Sequence, residues 1–307
     1  MATVDPNFRI EGIIAAPLTP LSQDGELNMS VMPTYVRFLD THDIDGVYIL
    51  GSMGEGMSLT VEERKRVAEE WVKATKTTQR LKTVIVHVGT GNLTDTIELA
   101  EHAEKIGAQA IACVAPSYYK PKDEETLVRY MKKVGAAAPK TPLYYYDINF
   151  RTGVYLNTGR FLELAADQIP TLRGGKISSR ELPALTDCTY AVGGRYQIMI
   201  GTDEQLLTAL ALGVDVPVLN GFLGGIFTRL KAAFEAKDFD TARKEQILAR
   251  KLVLERGRYG GGPPMVKSIM RCLGVDIGHV RLPLTDLTSE QEKNLRQDLV
   301  DIGFIEK

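Results

Sequence analysis

Eight short runs rich in β-branched and aromatic residues recur along the chain, each followed by an amphipathic stretch. They are GIIAAPLTP (12–20), GVYILG (46–51), TVIVHVG (83–89), AIACVAP (110–116), PLYYYD (142–147), RGGKIS (173–178), YQIMIGTD (196–203) and VPVLNG (216–221). Most are continuously apolar rather than alternating, the pattern of strands buried on both faces of a parallel sheet. The stretches between them carry helix signals. Thr60 with Glu63 forms a capping box ahead of ERKRVAEEWVKAT, and Asn92 caps LTDTIELAEHAEKIG, with Gly107 at its end. Eight strand–helix alternations predict an α/β fold, a closed (β/α)8 TIM barrel, with a doubly wound open sheet as the runner-up.

After the eighth run the pattern is helical only, over roughly 224–236, 238–257, 263–273 and 288–302, with GRYGGGPP (257–264) as a loop. The expected organisation is a barrel over 1–236 carrying the active site and a C-terminal helical appendage over 237–307 packed on it. A chain of 307 residues with net charge −2 and no long run of either sign lacks the footprint of a nucleic-acid or anionic-membrane binder. Cys113, Cys188 and Cys272 make no CxxC pair, and His42, His87, His102 and His279 make no HExxH motif, so neither a disulfide framework nor a metal site is expected. MATVDPNFRI has no secretory signature, and no apolar run reaches the roughly 20 residues of a membrane helix. A soluble, cytoplasmic protein without nucleic-acid or membrane partners is expected.

In a barrel of this kind, reacting groups come from the C-terminal ends of the strands and the loops after them. That rule selects GSMGEG (51–56), Tyr146 and Asp147, Lys176 and Ser178, Asp203 and Glu204, and Asn220. Lys176 is the most informative of these, because it stands in a short run, LRGGKISS, that reads as a buried strand and holds one other charge, Arg173. Burial disfavours an ammonium, and a neutral amine is the nucleophile that forms a Schiff base with a carbonyl substrate. Gly174 and Gly175 are expected to leave room beside the amine for a small ligand; otherwise Lys176 pairs with an internal carboxylate or reaches out of the barrel mouth. Tyr146 ends the preceding strand, close enough to shuttle protons, while the other tyrosines of the YYY run are expected to pack. GSMGEG matches neither GxGxxG nor GxxxxGK[ST]. It reads as a nest of N–H groups with the Ser52 hydroxyl, suited to the carboxylate of a 2-oxo acid, or as a tight turn whose Glu55 meets nearby cations.

Taken in order and spacing, GSMGEG, PSYYKP, YYYDI and GGKIS resemble the N-acetylneuraminate lyase and dihydrodipicolinate synthase superfamily of pyruvate-dependent class I aldolases, with similarity running from GIIAAPLTP to RLPL (281–284). The resemblance implies a (β/α)8 barrel with C-terminal helices, a homotetramer, a small 2-oxo or sugar acid as substrate, and no metal or organic cofactor. It implies Lys176 as Schiff-base lysine, Tyr146 as proton shuttle, and Ser52 and Met53 as the turn that binds pyruvate's carboxylate. VIVHVG, VAEEWV, LYYY, IGTDEQLLTALALG and RLPL are most similar to animal-type sialate lyases. In those, the resemblance assigns sugar-tail hydroxyls to Asp203 and Glu204 with help from Gly201, and the same substrate to Ser178.

Several positions depart from that pattern. Met53 replaces a hydroxyl residue, Asn149 a proline, and Asn220 a serine, while Arg151 stands where the synthases carry a carboxylate-binding arginine. Tyr118 in PSYYKP matches a synthase tyrosine that crosses a subunit interface. The resemblance therefore implies cleavage of N-acetylneuraminate to N-acetylmannosamine and pyruvate. The alternatives are 4-hydroxy-tetrahydrodipicolinate synthesis, another 2-oxo-3-deoxy acid aldolase, or a non-catalytic barrel that binds a keto acid or a protein. In a lyase, Arg151 is expected at the rim, bonded to tail hydroxyls or paired with Asp203 or Glu204.

Overall fold

The computed structural model describes residues 4–306, apart from the side chain of Arg256. Its eight strands are β1 (Ile14–Ala15), β2 (Gly46–Ile49), β3 (Thr83–His87), β4 (Ala110–Val114), β5 (Leu143–Asp147), β6 (Leu172–Ile177), β7 (Gln197–Ile200) and β8 (Val216–Leu219). They close into a parallel barrel in sequential order, β8 pairing back onto β1, so the open-sheet alternative falls. Each strand is shorter than its apolar run because the run marks burial, whereas the ladder occupies only part of it.

The ring of helices comprises α1 (Met32–Asp40), α2 (Val61–Thr75), α3 (Leu93–Ile106), α4 (Glu124–Ala137), a single turn α5 (Asn149–Thr152), α6 (Thr158–Ala165), α7 (Leu182–Tyr190), α8 (Leu206–Ala211) and α9 (Gly224–Glu235). The caps read from sequence form. Thr60 and Glu63 exchange the two hydrogen bonds of a capping box, and Asn92 accepts from the Asp95 amide. Three helices follow: α10 (Phe239–Arg258), α11 (Gly262–Cys272) and α12 (Ser289–Asp301). Among the described residues, no helix is long and apolar enough to cross a membrane.

The two-residue period of a strand sorts the YYY run. Tyr145 faces outward onto Phe161 of α6, with ring centroids 4.9 Å apart. Tyr144 and Tyr146 face the barrel interior with Ile14, Tyr48, Ile85, Val114 and Met199. Tyr144 is interior packing, its hydroxyl donating to Gln197 Oε1 at 2.8 Å.

The glycine pair before Lys176 has a different role from the one expected. The β5–β6 register slips between Leu143, opposite Leu172, and Tyr144, opposite Gly174, leaving Arg173 as an extra residue. Gly174 takes φ of 154°, and a Cβ there would lie 1.7 Å from the Gln197 carbonyl oxygen. These glycines let β6 approach its neighbours and absorb a bulge; they do not open ligand space. The slip sets Tyr146 opposite Lys176.

The C-terminal segment is bolted to the β2–α2 connection by charge. Arg281 reaches Glu63 at 2.6 and 2.9 Å and the Ser58 carbonyl at 2.8 Å. Its guanidinium holds the Glu63 carboxyl down at about 2, against a partial cost of burial. A depressed carboxyl contributes stability that is present above its unfolded pKa, near 4.3, and is lost as pH falls toward 2. The Tm of the wild type should therefore fall across that window more steeply than that of Glu63→Gln. The variant should be less stable at neutral pH and the two curves should converge near pH 2; thermal unfolding followed by circular dichroism checks this.

Candidate active site

At the C-terminal end of the barrel lies a cavity of about 110 Å³, with polar or functional groups from five strand ends and Ala16 from a sixth, β1. Ser52 and Met53 follow β2, Tyr146 ends β5, Lys176 and Ser178 come from β6 and its extension, Gly201 and Asp203 follow β7, and Asn220 follows β8. Ser52, Tyr146, Ile148, Arg151 and Gly262 also border a larger chamber of about 570 Å³, closed on its far side by Tyr259–Pro264 and Pro283–Leu287. The C-terminal helices thus help to form the mouth.

Lys176 is 4% exposed. Its Nζ lies 4.1 Å from the ring centroid of Tyr48 and 4.2 Å from that of Tyr146. Among the described residues no ion pair joins it to a carboxylate, so neither the internal pair nor the outward reach is its state. Ring faces attract a cation without sharing a proton with it, which leaves the amine available for chemistry. The glycine that makes room for this side chain is Gly201. A Cβ there would lie 2.9 Å from Lys176 Cε and 2.2 Å from Ser178 Oγ.

The Tyr146 hydroxyl lies 3.4 Å from Ser52 Oγ, so one chain of hydroxyls runs from the β2 turn to the strand carrying the lysine's neighbour. The turn itself is compact. The amide of Glu55 donates to the Ser52 carbonyl at 3.4 Å, that of Gly56 to the Gly51 carbonyl at 3.2 Å, and Thr19 Oγ1 donates to the Gly54 carbonyl at 2.6 Å. The tight-turn reading of GSMGEG is met, since Glu55 reaches a cation, Lys267, at 2.9 Å, and Ser52 and Met53 line the cavity.

Of the remaining candidates, Ser178 Oγ donates to the Gly201 carbonyl at 3.3 Å, and Asp203 Oδ2 accepts from Asn220 Nδ2 at 3.0 Å. Asn220 lines the cavity, and its Oδ1 is buried with no hydrogen-bond partner among the described residues. Two candidates lie elsewhere. Glu204 lines neither cavity, its carboxylate standing 3.9 Å from both Arg180 and Arg250, because the 3₁₀ turn Asp203–Gln205 aims successive side chains in different directions. Tyr118 is 83% exposed on the loop after β4, edge-on to Tyr119 at 5.0 Å. Arg151 reaches the rim of both cavities from α5, but the pairing expected with Asp203 or Glu204 does not form.

Two site residues escape sequence reasoning. Tyr48 looks like strand filler in GVYILG, yet it supplies one of the two faces under the lysine. His87 looks isolated, yet its ring stands edge-on to Tyr146 at 5.8 Å and lines the larger chamber. Its Nδ1 lies 3.1 Å from the Leu50 carbonyl, an acceptor, and 3.5 Å from Arg64 Nη2, a donor. Burial, then Arg64 and Lys176, push its pKa well below the ordinary histidine value, so the ring is neutral. Only the period-two pattern, which turns His87 and Tyr48 to one face, could have signalled either residue. Among the described residues, no group of three or more His, Cys, Asp or Glu side chains is placed to hold a metal ion.

The family model described as the dihydrodipicolinate synthetase family matches residues 9–302, which include every cavity residue above. The chain belongs to that family. Within it, the chain is 37% identical to N-acetylneuraminate lyase of Sus scrofa over 98% of this chain and 95% of the relative. It is 36% identical to N-acetylneuraminate lyase of Homo sapiens over the same shares. Among solved structures, N-acetylneuraminate lyase of Proteus mirabilis superposes with a TM-score of 0.92 at 32% identity, covering 97% of this chain and all of that one. The dihydrodipicolinate synthase of Aquifex aeolicus superposes with a TM-score of 0.87 at 25% identity, covering 96% and 99%. The family's fold therefore extends over both the barrel and the C-terminal helices.

The close approach at position 201 gives a test of the site's geometry. Gly201→Ala should remain folded, with a cost on the order of 1–3 kcal/mol for overpacking. Borohydride trapping of pyruvate on Lys176 should slow at least about tenfold, because the new methyl displaces the lysine stem. Thermal unfolding and intact mass read the two effects separately.

Proposed function

We propose that this chain is a class I aldolase that cleaves N-acetylneuraminate to N-acetylmannosamine and pyruvate through an imine on Lys176. The observation that carries the reading is the register that sets Tyr146 opposite Lys176, with the amine buried between ring faces and in no ion pair among the described residues. The names of the relatives supply the substrate.

In this reading the substrate's carboxylate lies against the Ser52 hydroxyl and the Met53 amide. The Lys176 amine adds to the C2 carbonyl and water departs, leaving an iminium that can accept an electron pair from the C3–C4 bond. Tyr146 takes the proton of the C4 hydroxyl as that bond breaks, an aldehyde leaves, and an enamine remains on Lys176. A proton returned to C3 through Tyr146 and Ser52, 3.4 Å apart, regenerates the iminium, and water releases pyruvate. No metal or organic cofactor enters these steps. The tail lies against Ser178, Gly201, Asp203 and Asn220, with Arg151 at the rim. Glu204 takes part only if its contacts with Arg180 and Arg250 break. We further propose a cytoplasmic homotetramer in which a neighbouring copy covers Tyr118 and Tyr119, with residues 237–307 acting as a helical cover over the barrel mouth.

Borohydride reduction in the presence of pyruvate should add a stable mass to the peptide containing Lys176, and labelling at another lysine would sink the assignment. Lys176→Ala and Lys176→Arg should both abolish cleavage, since a guanidinium stays protonated. Tyr146→Phe should keep the fold and much of the trapping while lowering kcat by about 10²–10⁴-fold.

Arg151 supports a second reading. Its guanidinium at the cavity rim has no carboxylate partner among the described residues, as a synthase that grips a second substrate's carboxylate would require. In a lyase, Arg151→Ala should cost on the order of 1 kcal/mol in kcat/KM with N-acetylneuraminate, the scale of a solvated rim contact. Wild-type condensation of pyruvate with aspartate semialdehyde, collapsing in the variant, would favour the synthase.

A further inference from the structure

Lys267 lies in α11, away from the 110 Å³ cavity, yet it is one of the most completely buried charged groups in the described chain. Its side chain and that of Glu55 are both 0% exposed, with Nζ 2.9 Å from Glu55 Oε1. The ammonium also donates to the His279 carbonyl, and Glu55 Oε2 accepts the Arg281 amide at 3.0 Å. Glu55 is therefore held from two sides by the C-terminal segment.

Glu55 also occupies a demanding backbone position. It takes φ of 53° and ψ of 29°, left-handed geometry that costs a non-glycine residue on the order of 1–2 kcal/mol. Such a conformation persists where its surroundings over-determine it. Its amide donates to the Ser52 carbonyl, so a shift at Glu55 is passed by one hydrogen bond to the residue proposed to meet the substrate's carboxylate. A buried ion pair contributes little net stability, because desolvation offsets its attraction, but removing one partner leaves a buried charge unpaired. The pair is thus better suited to fixing geometry than to holding α11 in place. α11 has an extensive apolar face for that task, with Met265, Val266, Ile269 and Met270 all buried.

We infer that Lys267 is a positioning residue for the carboxylate-binding turn: through Glu55 it sets the Ser52–Met53 backbone, so that α11 takes part in pyruvate binding without touching the ligand. The inference rests on the aldolase reading of Lys176 and Ser52.

Two variants separate positioning from stability. Lys267→Met leaves Glu55 buried and unpaired, and should lower Tm. The double variant Glu55→Gln/Lys267→Met removes both charges at similar volume and should recover much of that loss. In both, KM for pyruvate in the aldol direction should rise roughly tenfold with kcat largely kept, as for lost ground-state binding. Borohydride trapping of acetaldehyde on Lys176, a carbonyl with no carboxylate, should stay near the wild-type rate. A double variant whose pyruvate KM returns to wild type along with its Tm would overturn the inference, leaving the pair a purely structural element. Equal slowing of pyruvate and acetaldehyde trapping in the folded double variant would also overturn it, by placing the effect on Lys176 instead of the turn. Wild-type protein that pyruvate and borohydride fail to label would overturn the aldolase reading first, and this inference with it.

Discussion

Between the faces of Tyr48 and Tyr146, at 4.1 and 4.2 Å, the Lys176 amine occupies the interior of a closed barrel, in no ion pair with a carboxylate among the described residues. The arrangement of strands near it follows from that placement. Only the bulge at Arg173, made possible by Gly174, sets Lys176 opposite Tyr146, and only the missing side chain at Gly201 leaves its stem a path. A one-residue slip of β6 would turn every side chain of the strand over and send the amine out toward the helices. Arg173, the extra residue of the bulge, is held by backbone carbonyls at the opposite end of the barrel, including those of Val4 and Asp5. Arg173 is thus held by carbonyls, while the Lys176 amine rests between ring faces.

The loop after β2 and the first turn of α2 carry a second set of charges, Glu55 and Arg64 buried and Glu63 half-buried, and these face the C-terminal segment or the end of β3. Arg64 spends its guanidinium on the carbonyls of His87 and Gly89 at 2.6 and 2.9 Å, fixing the end of β3 beside Tyr146. Glu55 and Glu63 are met by Lys267 and Arg281. Such pairs discriminate between geometries more than they stabilise any one of them, because a misplaced partner leaves a charge without solvent. The mouth of the barrel accordingly combines strand-end groups, among them the β2 turn, with two stretches from the C-terminal segment, Tyr259–Pro264 and Pro283–Leu287.

On the side of the cavity toward β7 and β8, polar groups are already partly committed to one another. Asp203 accepts from Asn220, and Glu204 is turned toward Arg180 and Arg250. Arg151 stands at the rim with no carboxylate partner among the described residues, so a ligand tail entering there meets a cation for an anionic or hydroxylated group. That charge makes Arg151 the residue on which the lyase and synthase readings divide.

The sequence by itself determined the alternation of elements, the barrel class, the helix caps and most of the strand ends that line the cavity. These rest on short-range patterns: a run of apolar residues marks burial wherever the strand pairs, and Thr60 caps its helix using groups three residues away. It also marked Lys176 and Tyr146, because a charge in an apolar strand is costly and a barrel's strand ends converge. Tertiary structure alone decided the β5–β6 slip, the roles of Gly174 and Gly201, the ring faces offered by Tyr48, the neutral His87, the outward course of Glu204 and the Glu55–Lys267 pair. Each depends on contacts between residues tens to hundreds of positions apart, and neither periodicity nor propensity records which side chain a distant backbone will bring within 3 Å.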